Sequence, residues 1–272
     1  MHPLDGPRLK IRRAESHIKG LQLADANFRK FARYGVVVAE LNPRTKKYML
    51  RALVNILPPE DLGICIGEAA HNLRSALDGL TWQLALLNTD TPADNTQFPI
   101  FMRGTTKLRR KPKQGKGRGS LIPHFAKDGR NLIRSLRPEH QAAFEALQPY
   151  KRGNRGDRNP LYLLQELNNA DKHRLLQVAG GKPAGYMSGG VWGDDPLPDF
   201  HIDLGGVFED GAIVGHLAAS DASKVRVDQM IPPFIGFWKG CPALRGAGVC
   251  LWLSKMAEHV SEIVESFVPE FE

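Results

Sequence analysis

Residues Pro59–Leu87 read PEDLGICIGEAAHNLRSALDGLTWQLALL, and this stretch decides the fold. Pro59-Glu60-Asp61 is first-turn chemistry, because proline lacks the N–H that a helix start leaves unused and the acids face the positive end of the dipole. Ile66, Ala69, Leu73, Ala76, Leu77, Leu80, Leu84 and Leu87 recur at helical spacing and predict one long core-facing stripe. The other face carries Glu68, His71, Ser75 and Asp78, with Arg74 at its edge, and then turns apolar at Trp82, Ala85 and Leu86. A helix apolar all round at one end is expected to be buried there. Its polar patch would therefore open onto a groove and not onto bulk water.

A second helix with the same conflict is predicted from Pro160 to about Val178. Leu161, Leu164, Leu167, Leu175 and Val178 form its stripe, and Asn168 and Asp171 project into the middle of it. Lys172 and His173 lie off the stripe. Burying such groups is costly unless they are paired. If the two helices pack together, Arg74 is expected to fork onto Asp171 or Asp78, with Asn168 bridging backbone or His71.

Working outward, an amphipathic helix is predicted over 8–34, from Ala14, Ile18, Leu21, Phe28 and Ala32. Two β-type runs, 35–41 and 48–57, flank the turn residues Asn42-Pro43-Arg44-Thr45, and runs at 200–208 and 212–218 flank Glu209-Asp210-Gly211. Both read as hairpins. Shorter helices are expected at 128–136 and 138–147, a polar linker at 149–160, a strand at 224–231 and a last helix at 243–267. The class is α+β, mainly a helical bundle with two small antiparallel hairpins, in a single domain over 1–272.

Hydrophobic residues make up 42% of the 272-residue chain, enough for a sizeable core. No run of about 18 apolar residues exists, so no membrane span is expected. Met1 to Lys10 has no hydrophobic run behind it and does not read as a signal peptide. Cys65, Cys241 and Cys250 lack metal-ligand spacing, which suits a reduced cytoplasm. No cofactor is implied and no metal is assigned. Glu68 and His71 have the Glu-x-x-His spacing of helical-bundle metal sites, but a second such pair is missing.

Charge is concentrated in residues 103–118, RGTTKLRRKPKQGKGR, which hold Arg103, Lys107, Arg109, Arg110, Lys111, Lys113, Lys116 and Arg118. Of the chain's 37 basic residues eight lie here, with no acid, and the other 29 balance the 29 acids. A flexible insertion that touches RNA or other nucleic acid through backbone phosphates is the expectation. It has no aromatic residue, so base stacking there is not expected. A homo-oligomer stays open.

The block Ile66–Asp78, together with Phe98-Pro99-Ile100, Leu147-Gln148-Pro149-Tyr150 and Asp171-Lys172-His173-Arg174, resembles a group of uncharacterised bacterial and phage proteins. Those share an HNLRSALDHL block and a DKHR block. Gly79 stands where that pattern has a histidine. The resemblance covers roughly residues 8–180 and implies no established activity. A looser similarity is to HEPN-type helical proteins, many of them metal-independent ribonucleases with an Arg, four to six residues and a His. Arg12–His17, Arg118–His124 and Arg134–His140 match that spacing formally.

Two function classes follow as expectations. One is a HEPN-like RNA-directed protein, a ribonuclease of toxin or phage-defence type. The other is a non-catalytic nucleic-acid-binding or assembly protein whose buried polar residues are structural. For an enzyme, the candidate residues are His71, Arg74, Asp78, Asn168, Asp171 and His173. His71 would move protons and Arg74 would hold phosphate.

Overall fold

The structure, a computed structural model, describes residues 2–31, 35–45, 47–54, 57–104, 124–173, 176–181, 200–202, 209–217, 234–239 and 241–272. The helices are α1 (Asp5–Phe31), α2 (Leu62–Leu86), α3 (Arg130–Leu132), α4 (Pro138–Ala146), α5 (Pro160–His173) and α6 (Val249–Ser266). The strands are β1 (Gly35–Leu41), β2 (Tyr48–Val54), β3 (Gln177–Gly181), β4 (Phe200–Ile202), β5 (Ile213–Leu217) and β6 (Phe234–Lys239). A mainly helical α+β chain is thus what forms. No helix among the described residues is long and apolar enough to cross a membrane.

The chain divides into two compact units. The first comprises Met1–Ser16, Glu68–Lys172 and Leu253–Glu272. It is helical, and the stripe read from the sequence lines its core: Ala69, Leu73, Ala76, Leu77, Leu80 and Leu84 are fully buried. Leu161, Leu164 and Leu167 of α5 and Leu253, Met256, Val260 and Val264 of α6 join them. Phe98 packs on Phe144 at 4.7 Å between ring centroids, and Phe144 packs edge-on to Phe267 at 5.5 Å. Pro7 at the start of α1 meets α2 at Gly79, where a Cβ would stand 3.3 Å from the proline ring. The Cβ of the histidine that the resembled pattern has at this position would crowd the proline ring, which would have to give by a few tenths of an ångström.

The second unit comprises His17–Gly67 and His173–Trp252 and carries the strands. Both expected hairpins form, and they join. β1 pairs β2, β4 pairs β5, and β2 pairs β5, all antiparallel, in the order β1-β2-β5-β4. Asn42 Oδ1 accepts the Arg44 and Thr45 N–H groups at 3.0 and 3.2 Å, as the turn chemistry required. Gly211 closes the other turn at φ 73, a conformation suited to glycine. A separate pair, β3 with β6, was not legible as such. Ile235 of β6 donates its N–H to Asp25 of α1 at 2.6 Å.

Several boundaries shift. The first helix is Asp5–Phe31 where 8–34 was expected, and the helix expected at 128–136 is a π-helical turn, Phe125–Gly129, running into the three residues of α3. α5 stops at His173, and Gln177–Gly181 is a strand: Val178 pairs Phe237, so its burial belongs to a sheet and not to the helix stripe. A short apolar run fits both periods, and here the two glycines at its end favour strand. α6 begins at Val249, because Pro242–Leu244 is a 3-10 turn followed by Gly246 at φ 77. Pro149–Arg158, expected as a linker, is a 3-10 segment kinked at Gly153. The strand expected at 224–231 lies outside the described residues.

Candidate functional site

Arg74 is buried, and its guanidinium is spent inside the first unit. Nη1 donates to Asp78 Oδ1 at 2.7 Å, Nη2 to the Phe98 carbonyl at 2.7 Å and Nε to Gln165 Oε1 at 3.2 Å. Asp78 lies one turn on along α2, so the helix itself sets the pair. The same Asp78 oxygen accepts the Phe98 N–H at 2.9 Å. Arg74 and Asp78 therefore grip both polar groups of one residue's backbone, and Phe98 is held with its ring in the core. Burial pulls the Arg74 guanidinium below its ordinary value, and Asp78 opposes that pull.

Gln148 repeats the device one residue further on. It is fully buried at the end of α4. Its Nε2 donates to the carbonyls of Pro99 and Phe144, both at 2.9 Å, and its Oε1 accepts the Phe101 N–H at 2.9 Å. All three hydrogen-bonding positions lie on backbone. Three of the sequence blocks singled out above, around His71–Asp78, Phe98–Ile100 and Leu147–Tyr150, thus meet at one segment, 98–101, that belongs to no helix or strand. An unpaired backbone group buried there would be costly, so these side chains supply what a sheet neighbour would.

Among the described residues no hydrogen bond or ion pair joins Arg74 to His71, Asn168 or Asp171. Asn168 is buried and His71 is exposed. Asp171 is half-exposed and, among the described residues, forms no ion pair; of the two forks expected for Arg74, the one onto Asp78 forms, joined by Gln165, and the one onto Asp171 does not. Burial pushes the Asp171 carboxyl above the usual carboxylate range; His71 lowers it and Glu68 raises it. Three groups that exchange protons are therefore electrostatic neighbours. Two of them are acids, a poor reception for a polyanion. His173 ends α5, and its side chain lies outside the described residues.

Lys107, Arg109, Arg110, Lys111, Lys113, Lys116 and Arg118 also lie outside the described residues. The two ends of their segment do not. Phe125 N–H donates to the Arg103 carbonyl at 2.8 Å and Ala126 N–H to the Gly104 carbonyl at 2.9 Å. His124 N–H donates to Asp128 Oδ2 at 2.8 Å. The insertion thus leaves and returns through one closed stem. Beside it Tyr150 donates to Glu145 at 3.1 Å, and its hydroxyl is pushed up to about 12 by burial and then by that bond. Burial raises Glu145, yet Lys151, Arg130 and Tyr150 together hold it below its ordinary value.

Of the Arg–His spacings, Arg134–His140 does not make a surface pair. His140 is buried edge-on to Phe267 and meets Glu270 at 3.0 Å, while Arg134 bonds Asn131. Arg12 is exposed on α1, with the half-buried His17 on the same helix, and Arg118 is outside the described residues. Sequence reasoning gave no role to Gln148, Gln165 or the Phe98 backbone; the one signal was that Gln148 and Phe98 stand in two of the blocks that carry the resemblance. Comparison with known protein families, curated proteins and solved structures finds no match.

Proposed function

We propose that this chain is a cytoplasmic nucleic-acid-binding protein whose buried polar residues are structural. On this reading its affinity comes from sequence-independent phosphate contacts made by residues 103–118. The observation that carries it is the charge: eight cations without an acid, in a chain otherwise balanced. Lys and Arg near phosphate release counterions, and that release supplies most nonspecific affinity. The Arg74 network supports the non-catalytic half of the reading, since a guanidinium already committed to Asp78, Gln165 and a carbonyl has no free edge for a phosphate.

The test uses the closed stem. Replacing residues 105–123 by a Gly/Ser linker of about four residues shortens a loop whose ends are already bonded, a small change in closure entropy. RNA and DNA affinities, read by fluorescence anisotropy at low salt, are expected to fall by more than about tenfold with the melting temperature retained. Unchanged affinity would refute the reading.

A second reading, the HEPN-like metal-independent ribonuclease of toxin or phage-defence type, is favoured by one observation. His71 is exposed beside a carboxyl whose proton affinity burial raises. Turnover of RNA without divalent metal, lost in His71→Ala, would support it. Loss in His17→Ala alone would move the site to α1, and no turnover removes this reading.

A further inference from the structure

We propose that the stem of the basic segment is itself a phosphate-binding surface, formed by Arg103, Lys127, Arg152 and Arg158 with Lys151 beside them. The inference rests on the nucleic-acid reading above and extends it from the insertion to the folded body.

The placement comes from close packing. The 3-10 segment Pro149–Arg158 reads PYKRGNRGDR and starts 45 residues after Gly104 in the chain, yet its start packs against Gly104 of the stem and its Gly156 against Met102, one residue before it. A Cβ on Gly104 would stand 2.7 Å from the Tyr150 ring. A Cβ on Gly156 would stand 2.9 Å from the Pro149 carbonyl and 3.3 Å from Met102. Only glycines allow these approaches. Gly153, at φ 58 and ψ −131, makes the reversal between them. Tyr150 packs on Phe125, at 6.1 Å between ring centroids, and so ties the segment to the returning end of the stem.

The result is a collar of cations from three stretches of chain. Arg103, Lys127, Lys151, Arg152 and Arg158 are all exposed. Among the described residues Arg103, Lys127, Arg152 and Arg158 form no ion pair, whereas Lys151 shares Glu145 with Arg130, both at 3.3 Å. Of the nearby acids, Glu145 is engaged by Arg130, Lys151 and Tyr150, Asp128 caps the His124 N–H, and Asp157 is exposed. The surface is positive, and in the sequence Arg103 and Gly104 lead on to the seven further cations of 107–118.

A nucleic-acid backbone fits this surface better than a lipid one. Membrane-lying segments bury a continuous apolar face. Here the Tyr150 ring is covered by Gly104 and Lys151, and Met102 is the one exposed large apolar side chain among the described residues of the collar. Exposed cations with no ion-pair partner among the described residues, at the foot of a longer cationic segment, suit a regular row of phosphates.

The experiment compares four proteins on RNA and DNA duplexes of about 20 base pairs and on phosphatidylglycerol vesicles. They are the full chain, the linker-replaced chain, and that chain with either of two sets of substitutions that each remove four positive charges. One set is Arg103→Gln, Lys127→Gln, Arg152→Gln and Arg158→Gln. The other, a control of equal charge, is Lys10→Gln, Arg12→Gln, Arg13→Gln and Lys19→Gln on α1. The linker-replaced chain is expected to keep residual duplex binding. The collar set should then reduce the slope of log K against log salt by about 3–4, near 0.9 per phosphate contact on duplex DNA. The α1 set should change it by less than about 1. Equal effects of the two sets, no slope change, or binding to vesicles in place of duplex would overturn the proposal. No residual binding after linker replacement would sink the collar alone. No binding by the full chain would remove the nucleic-acid reading as well.

Discussion

Replacing Arg74 by methionine tests the structural role of the polar helix face. The change keeps the aliphatic stem and removes three donors. The bond to the Phe98 carbonyl is buried and charge-assisted, on the order of 1.5–3 kcal/mol. The bond to Asp78 is discounted because that side chain is 35% exposed, leaving about 0.5–1 kcal/mol. The longer bond to Gln165 adds about 0.5 kcal/mol. Relief of the guanidinium's burial offsets part of this sum. The expected loss is about 2–4 kcal/mol in urea titration, or a melting shift of roughly 5–15 °C. Asp78→Asn keeps an acceptor for the Phe98 N–H and should lose only about 1 kcal/mol. The double mutant should show coupling of at least about 0.5 kcal/mol. Arg74→Lys should not rescue, since an ammonium cannot reproduce the fork. Nucleic-acid affinity of the folded Arg74→Met protein should match the native value. A loss under about 0.5 kcal/mol, or affinity lost without stability, would refute the clamp and return Arg74 to a binding role.

Gln148→Leu should lose about 2–4 kcal/mol by denaturant titration, because it orphans the Phe101 N–H and the Pro99 carbonyl; a loss below about 1 kcal/mol would remove Gln148 from the core network. Gly79→His should destabilise by about 1–3 kcal/mol in thermal melts, since even its Cβ crowds Pro7; an unchanged melt would show that the first turn of α1 moves freely. The Asp171 carboxyl is raised in the fold, so its ionised form disfavours folding above the folded pKa and is neutral to it below the unfolded one. Asp171→Asn is therefore expected to be slightly more stable than the native chain at pH 7, by no more than about 0.5 kcal/mol given its exposure. That gain should vanish as pH falls below the usual carboxylate range. Destabilisation at pH 7 would mean that Asp171 serves as an ionised partner.

Much of the first unit was legible because its helices obey one period without interruption. The α2 stripe is buried residue for residue from Ala69 to Leu84. The start of α5 was legible because Pro160 fixes its first turn, and Asn159 proves to cap it by accepting the Leu161 N–H at 2.8 Å. The clamp was half legible. That Arg74 and Asp78 must find partners followed from their place on a core helix, but the partner is backbone, and a carbonyl leaves no mark in a sequence. Arg74 also reaches α5 at Gln165, more than a turn before Asp171, and periodicity gives which residues share a face but not how far two helices slide. β3 was hidden because Leu175 and Val178 extend the α5 period by chance. The collar was invisible for a different reason: its residues become neighbours only through tight glycine approaches at 104 and 156.

The salt dependence of duplex binding tests the central claim most directly. Log K for RNA and DNA is measured against log salt for the native and linker-replaced chains at equal concentration. The account expects a steep negative native slope, on the order of 5 or more, and a slope reduced by several units after replacement, with sequence making little difference. A shallow native slope, or one that replacement leaves unchanged, would contradict it.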